Sequence, residues 1–325
     1  MRLRLLCVCA LLLTSACRSD GRRVESHASV ATPAPGATTT WVDRSVLRGT
    51  VTIPAGSTVR IADHAQLGAE KGSKVVVLGT LLAPQGTAIR GSDWDGITVG
   101  SGGTLSVSYL ELRGAGVTSQ AGAKSVSVAN TLIAGAATPF QVDAGSTMSL
   151  SRVTVQSVRG ASVVKGTLLA DFLLYDKGGD TGIVQTGPAS VLRLTRSALT
   201  GNGHFEGDML NTSDAGELTV SGSTLAKNHC AFHLVGVRKL TLTKVSVHDN
   251  AFGFMAYGSD PATTQRITDT DVYDNKEFGL YERPSTVQGP VLVDGGFWGR
   301  NGDHRDIVQI TGKVVRTNPA SSPGH

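Results

Sequence analysis

Eight histidines occur in the 325 residues, and four of them, His204, His229, His233 and His248, crowd into one stretch. Asp249 and Asp274 follow at equivalent places of a recurring pattern, and Tyr281 comes after them. Imidazoles, phenols and carboxylates are the groups general acid–base chemistry uses. Two carboxylates roughly 5 Å apart on stacked repeats share a proton, bind a cation or are neutralised by neighbours. Lys227 and Arg300 hold the same place on flanking repeats. Three arrangements are therefore open: a salt-bridge ladder of Lys227, Asp249, Asp274 and Arg300, a Ca²⁺ site, or an acid–base pair. Asp269 and Asp271, on the preceding strand, are expected on solvated faces. His229 and His233 are four residues apart, which on an extended strand is ~13 Å and too far to share one metal. There is no His-Glu-x-x-His, no Cys-x-x-Cys, no glycine-rich phosphate loop and no Gly-x-Ser-x-Gly elbow. Zinc, nucleotide and serine-hydrolase chemistry therefore lack support, and no cofactor is expected beyond the open Ca²⁺ question.

These residues need a scaffold, and composition narrows it. Glycine numbers 40, charged residues are 17% and hydrophobic residues 40%. That is too apolar for a disordered chain. A net charge of +4, with no basic run interleaved with aromatics, gives no footprint for nucleic acid.

The scaffold is a repeat. Leu240, Leu242, Val247 and Asn250 recur in frame as Leu218, Val220, Leu225 and Asn228, then as Val291, Val293, Trp298 and Asn301. Leu192, Leu194, Leu199 and Asn202 precede them. The second apolar position gives the column Val107, Val128, Leu150, Leu169, Leu194, Val220, Leu242, Ile267 and Val293, about 23 residues per repeat. Short alternating runs broken by Gly, Asn and Asp are strands and turns. Stacked coils of this kind make an all-β parallel β-helix of about eleven coils. Asn202, Asn228, Asn250, Asn275 and Asn301 then form a structural ladder at one turn. In the strand after it, Phe232, Phe254 and Leu280 point inward, so His233, Met255 and Tyr281 line an outer face suited to stacking on sugar rings.

The N-terminus reads as an address. Residues 1–16 carry Arg2 and Arg4, an apolar run and small residues, a secretory signal too short to span a bilayer. Leu13-Thr14-Ser15-Ala16-Cys17 resembles a bacterial lipoprotein signal, which implies lipidation of Cys17 and membrane attachment through it. Ordinary signal cleavage at the same bond is the alternative. Residues 17–40 have linker composition, residues 41–317 are the β-helix, and 318–325 are expected as a disordered tail. Only Cys230 is left in the body, so no disulfide can form there.

Thr50–Val59, Val75–Ala83 and Ser92-Asp93-Trp94-Asp95-Gly96-Ile97-Thr98-Val99 complete the pattern. With them the chain, from about 45 to 315, resembles bacterial surface proteins of the pectin-lyase-like superfamily. The resemblance implies a single-stranded right-handed parallel β-helix whose long strand and flanking turn line a substrate cleft. It implies no single activity, because that fold carries lyases, hydrolases, epimerases and adhesins. The Asp-Asp and Gly-His-Gly signatures of polygalacturonases and the Arg-x-Pro-x-x-Arg run of pectate lyases are absent. The expectation is an envelope-associated lipoprotein of the outer membrane, on its periplasmic or cell-surface side. It would be a monomeric rod binding polysaccharide or another envelope protein. The alternative is a polysaccharide lyase, glycoside hydrolase or epimerase acting through His204, His229, His233, Asp249 and Asp274.

Overall fold

A computed structural model describes residues 28–176, 178–179, 181–201, 207–256, 263, 265–282, 289–299, 307–308 and 314–324. The signal segment, Cys17, Asn202, His204, Arg300 and Asn301 lie outside them. Among the described residues there is no helix, and every strand pairing is parallel. The chain is a right-handed parallel β-helix with three sides. The first two sides merge at a bend into one sheet of 23 strands, and the third side is a separate sheet of 12 strands. At one strand per coil and a rise of ~4.8 Å, the rod is on the order of 50 Å long.

The apolar columns build the core. On the first side Met148, Leu168, Leu192, Leu218 and Leu240 stack in register and are buried. On the third side Phe232 stacks on Phe254 at 4.5 Å, and Phe254 packs on Trp298 at 5.8 Å. Each such side chain contributes roughly 1.5–3 kcal/mol by leaving water. One member of the expected column is displaced. Leu150 pairs with Ala170 and Ala170 with Leu194, so Leu169 faces out at 36% exposure. A small inward residue between two leucines kept the coil regular while shifting the apparent apolar marker by one.

Two boundary expectations change. The segment read as flexible linker is folded from residue 28: Val30 is buried, Ser29 bridges Val46, and Thr38–Trp41 pairs with Thr58–Ile61. The tail is tied down as well. Asn318 Nδ2 donates to Asp294 Oδ1 at 2.9 Å and Gly324 N donates to Asp271 Oδ2 at 2.7 Å. Asp271 is therefore buried, with Phe297 N on its other oxygen at 2.8 Å, and not on a solvated face.

Candidate functional site

Three strands of the third side carry the site: Asp208–Ser213, Cys230–Val235 and Phe252–Ala256, with Phe278–Glu282 beyond them. Their register places Asn211, His233, Met255 and Tyr281 on successive coils in one outward column. Leu210, Phe232, Phe254 and Leu280 beside them are buried. His233 and Tyr281 are two coils apart, roughly 10 Å along the axis.

His233 does not stand alone. Its Nδ1 lies 2.6 Å from Asp208 Oδ2, and Asn211 Nδ2 donates to the same oxygen at 2.9 Å. Asp208 is 8% exposed. An ionised carboxylate only accepts, so Nδ1 carries a proton and Nε2 is left as the basic nitrogen of the neutral ring. A buried carboxylate also stabilises the imidazolium that forms when Nε2 takes a proton. This is the arrangement that orients a general base.

Asp208 was not foreseen. Strict alternation from the inward Leu210 turns Asp208 inward too, yet it meets the outward His233 and Asn211. The first strand residue and the fourth thus share a face. The same offset recurs three coils on, where Phe278 and Tyr281 rings lie 4.9 Å apart. Phe278 also touches Phe252 at 5.0 Å, and Phe252 meets His229 edge-on at 5.0 Å. An aromatic patch therefore adjoins the imidazole–carboxylate pair. The signal in the sequence was an aspartate at a core-facing position with no inward partner. Cys230, at the same strand position as Asp208, is a buried free thiol that donates to Phe232 O at 3.2 Å. Burial, reinforced by the Asp208 charge, pushes its pKa well above the usual thiol value, so it is no nucleophile.

The turn before these strands is organised differently from the carboxylate site. Asn228 and Asn250 are buried and stacked. Asn228 N and Nδ2 donate to Asn250 Oδ1 at 3.0 and 3.1 Å, and Asn250 Nδ2 reaches Asn275 Oδ1 at 2.9 Å. Lys227, Asp249 and Asp274 each precede a ladder asparagine with φ of 60°, 55° and 52°. Left-handed backbone is a place Asp tolerates, which accounts for the two aspartates as turn residues. Asp249 Oδ2 meets His248 Nδ1 at 2.8 Å, and the His248 ring stacks on Tyr273. The carboxylate thus pairs along its own strand. A groove of ≈ 490 Å³ is lined here by Lys227, His229, Asp249, Asp274 and Lys276. Nowhere among the described residues do three His, Cys, Asp or Glu side chains converge as a cation site. His229 lines this groove, and its buried Nδ1 has no hydrogen-bond partner among the described residues.

No known family profile and no curated protein sequence matches the chain. Solved structures do match its fold, the right-handed parallel β-helix. The crystal structure of the periplasmic alginate epimerase AlgG superposes with a TM-score of 0.64 at 12% identity, over 88% of this chain and 78% of that one. The A-module of the Azotobacter vinelandii mannuronan C-5 epimerase AlgE4 gives 0.57 at 10% identity, over 87% and 91%. At such identities the likeness is one of fold.

Proposed function

We propose that the chain is an enzyme of acidic polysaccharides, a lyase or C5 epimerase, with His233 as its proton-transfer group. The observation that carries this reading is the 2.6 Å contact between His233 Nδ1 and the buried Asp208 on an outer face. A rod that only binds has no need of a buried carboxylate orienting an imidazole, so the enzyme reading is preferred to the adhesive one. The two neighbours are named for alginate and mannuronan epimerisation, which adds the substrate class.

In a uronate, C5 bears a proton next to the carboxylate carbon. Nε2 of His233 takes that proton, and Asp208 stabilises the imidazolium. The electron pair left on C5 either expels the glycosidic oxygen at C4, giving an unsaturated uronate, or is reprotonated at C5 from the other face. The Phe278–Tyr281 pair offers ring faces for a neighbouring sugar. Lys227 and Lys276 line the adjoining groove together with Asp249 and Asp274, so its charge is balanced and the lysines are the groups there that can meet a substrate carboxylate. Secretion through the N-terminal signal, with a lipid anchor at Cys17, belongs to this reading and would put the chemistry outside the cytoplasm; that the epimerase AlgG is periplasmic supports it. Membrane attachment through Cys17 and action as a monomer are parts of the same proposal.

The test is turnover of alginate and polygalacturonate. Unsaturated product is read by ultraviolet absorbance, and epimerisation by solvent deuterium entering C5. His233→Ala is expected to lose about 10²- to 10⁴-fold in rate, and Asp208→Asn, which disturbs the tautomer, a comparable part of it. Tm is recorded alongside, because His233→Ala takes a hydrogen-bond partner from the buried Asp208 and should lower it somewhat. Full activity in His233→Ala, or no product from either polymer, overturns the proposal.

A further inference from the structure

A different edge of the solenoid carries side chains that neither the core nor the imidazole site uses. Where the first side bends into the second, each coil passes through one residue of left-handed backbone. Glycine fills that place at Gly86, Gly222 and Gly295, with φ of 62°, 53° and 71°, and Arg44, His64, Lys244, Asp269 and Asn318 fill it in other coils, with φ of 61°, 62°, 54°, 48° and 48°. In the five consecutive coils between Gly86 and Gly222 it is Tyr109, Asn130, Arg152, Phe172 and Arg196, with φ of 56°, 46°, 53°, 55° and 50°. A Cβ at such a φ crowds the following carbonyl, and of these five only Asn tolerates it cheaply. The strain obtains no burial in return. Tyr109 is 58% exposed and Phe172 41%.

The neighbours of Phe172 define the chemistry. The guanidinium of Arg196 lies 4.3 Å from its ring centroid, and that of Arg152, on the coil before, lies 5.8 Å away. Arg196 is forked onto Asp171 at 2.9 and 2.5 Å. Arg152 has no carboxylate within ion-pair distance among the described residues. Exposed rings beside guanidinium groups, held at strained backbone that returns no burial, point to a function.

We propose that this ridge is a second binding surface for an acidic polysaccharide, laid along the rod axis and separate from the His233 site. Ring faces of Tyr109 and Phe172 stack on the C–H faces of pyranoses, and Arg152 takes a carboxylate while Arg196, paired with Asp171, backs the Phe172 ring. The coil rise of ~4.8 Å is close to the length of one sugar unit, so Arg152 and Phe172, on successive coils, address successive units. The ridge takes from the reading above only the class of polymer.

The experiment measures binding of labelled alginate and polygalacturonate to the purified protein at low salt, with melting curves alongside. The variants are Phe172→Gly and the double change Arg152→Gly/Arg196→Gly, each also made in the His233→Ala background to stop turnover. Glycine suits this backbone, so Tm should be unchanged or raised while affinity falls at least about five-fold. Unchanged affinity in both variants overturns the ridge, as does binding of the parent protein to anionic lipid vesicles but to neither polymer. Turnover lost in His233→Ala with ridge-independent binding leaves the enzyme reading standing and removes the ridge. Ridge-dependent binding without turnover does the reverse.

Discussion

The outer face of the third side is one column in one register, yet its two halves differ in kind. From Thr52 through Val76, Thr98, Thr118, Gln141 and Val163 to Val184 it carries residues without a proton to exchange near neutral pH. In the next four coils the same place holds Asn211, His233, Met255 and Tyr281. The turn that leads into this strand changes with it. In the earlier coils it is closed by small residues. A Cβ on Gly116 would sit 2.1 Å from Thr138 O and 2.2 Å from Pro139 O, and one on Gly96 would sit 2.4 Å from Gly116 O. In the later coils glycine still holds that place at Gly253, where a Cβ would sit 2.4 Å from Gly279 O, and Asn228, Asn250 and Asn275, three or four residues earlier, add side-chain hydrogen bonds between coils. Both halves have a depression at this turn. The earlier one, ≈ 410 Å³, is walled by Trp94, Gly114 and Ala137 and has an Arg159–Asp93 ion pair at 2.8 Å on its rim. It contains no imidazole. The comparison teaches that the fold supplies the cleft everywhere, whereas chemistry depends on which coils place titratable groups there.

The largest stability effect expected from breaking this contrast is at Asn250. Its amide donates to Leu225 O at 3.1 Å and its oxygen accepts from Asn228 N at 3.0 Å, all of it buried. Asn250→Ala leaves those backbone groups without partners and should cost roughly 3 kcal/mol. Asn250→Asp keeps the acceptor, loses the donor and buries a charge, so it should not rescue. Urea unfolding of both variants checks this. A cost below about 1 kcal/mol would mean that the ladder is incidental to the turn.

In the earlier half the corresponding break is Gly116→Ala. The added methyl meets two backbone oxygens that belong to the next coil, so the coils must part locally. A cost of about 2 kcal/mol is expected, read as a fall in urea midpoint. Turnover should be unaffected, because the His233 site lies several coils away. Loss of activity at unchanged stability would show that the earlier coils also contact the substrate.

The coil period, the inward columns and the outward column of His233, Met255 and Tyr281 were legible in the sequence, because burial writes alternation directly into residue type. The asparagine turn was legible for a related reason: its residues recur at one offset from the apolar columns. Asp208 was not, since reading it requires knowing that the pleat fails between the first and fourth strand residues. Asp249 and Asp274 looked like a carboxylate pair because the pattern reports stacking, while the backbone φ that explains them leaves no trace in apolar spacing. The ridge residues were hidden in the same way. Phe172 and Arg152 lie inside unbroken ten-residue strands, and nothing in their types marks a left-handed bend. The folded linker was missed because composition reports flexibility of an isolated chain, whereas Val30 and Trp41 gain burial only once the first coil exists.

The smallest expected effect sharpens the comparison from its earlier half, where charges pair across coils instead of serving a site. Glu111 accepts from Arg90 at 2.5 Å and from Arg113, and the Arg90 hydrogen bond is the main reason its pKa lies below the ordinary 4.5. A carboxylate whose folded pKa is depressed contributes stability above its unfolded pKa and loses it as pH falls through the folded value. Both arginines are about half exposed, so screening by water holds the contribution below about 1 kcal/mol. Glu111→Gln should therefore lower stability slightly at pH 7, with a smaller deficit at pH 3, by urea unfolding at the two pH values. An equal deficit at both would show that Glu111 acts through packing and not through its charge. The rate on polyuronate should be indifferent to this change, because Glu111 lies on the second side of an earlier coil, where its charge pairs with neighbours and moves no proton.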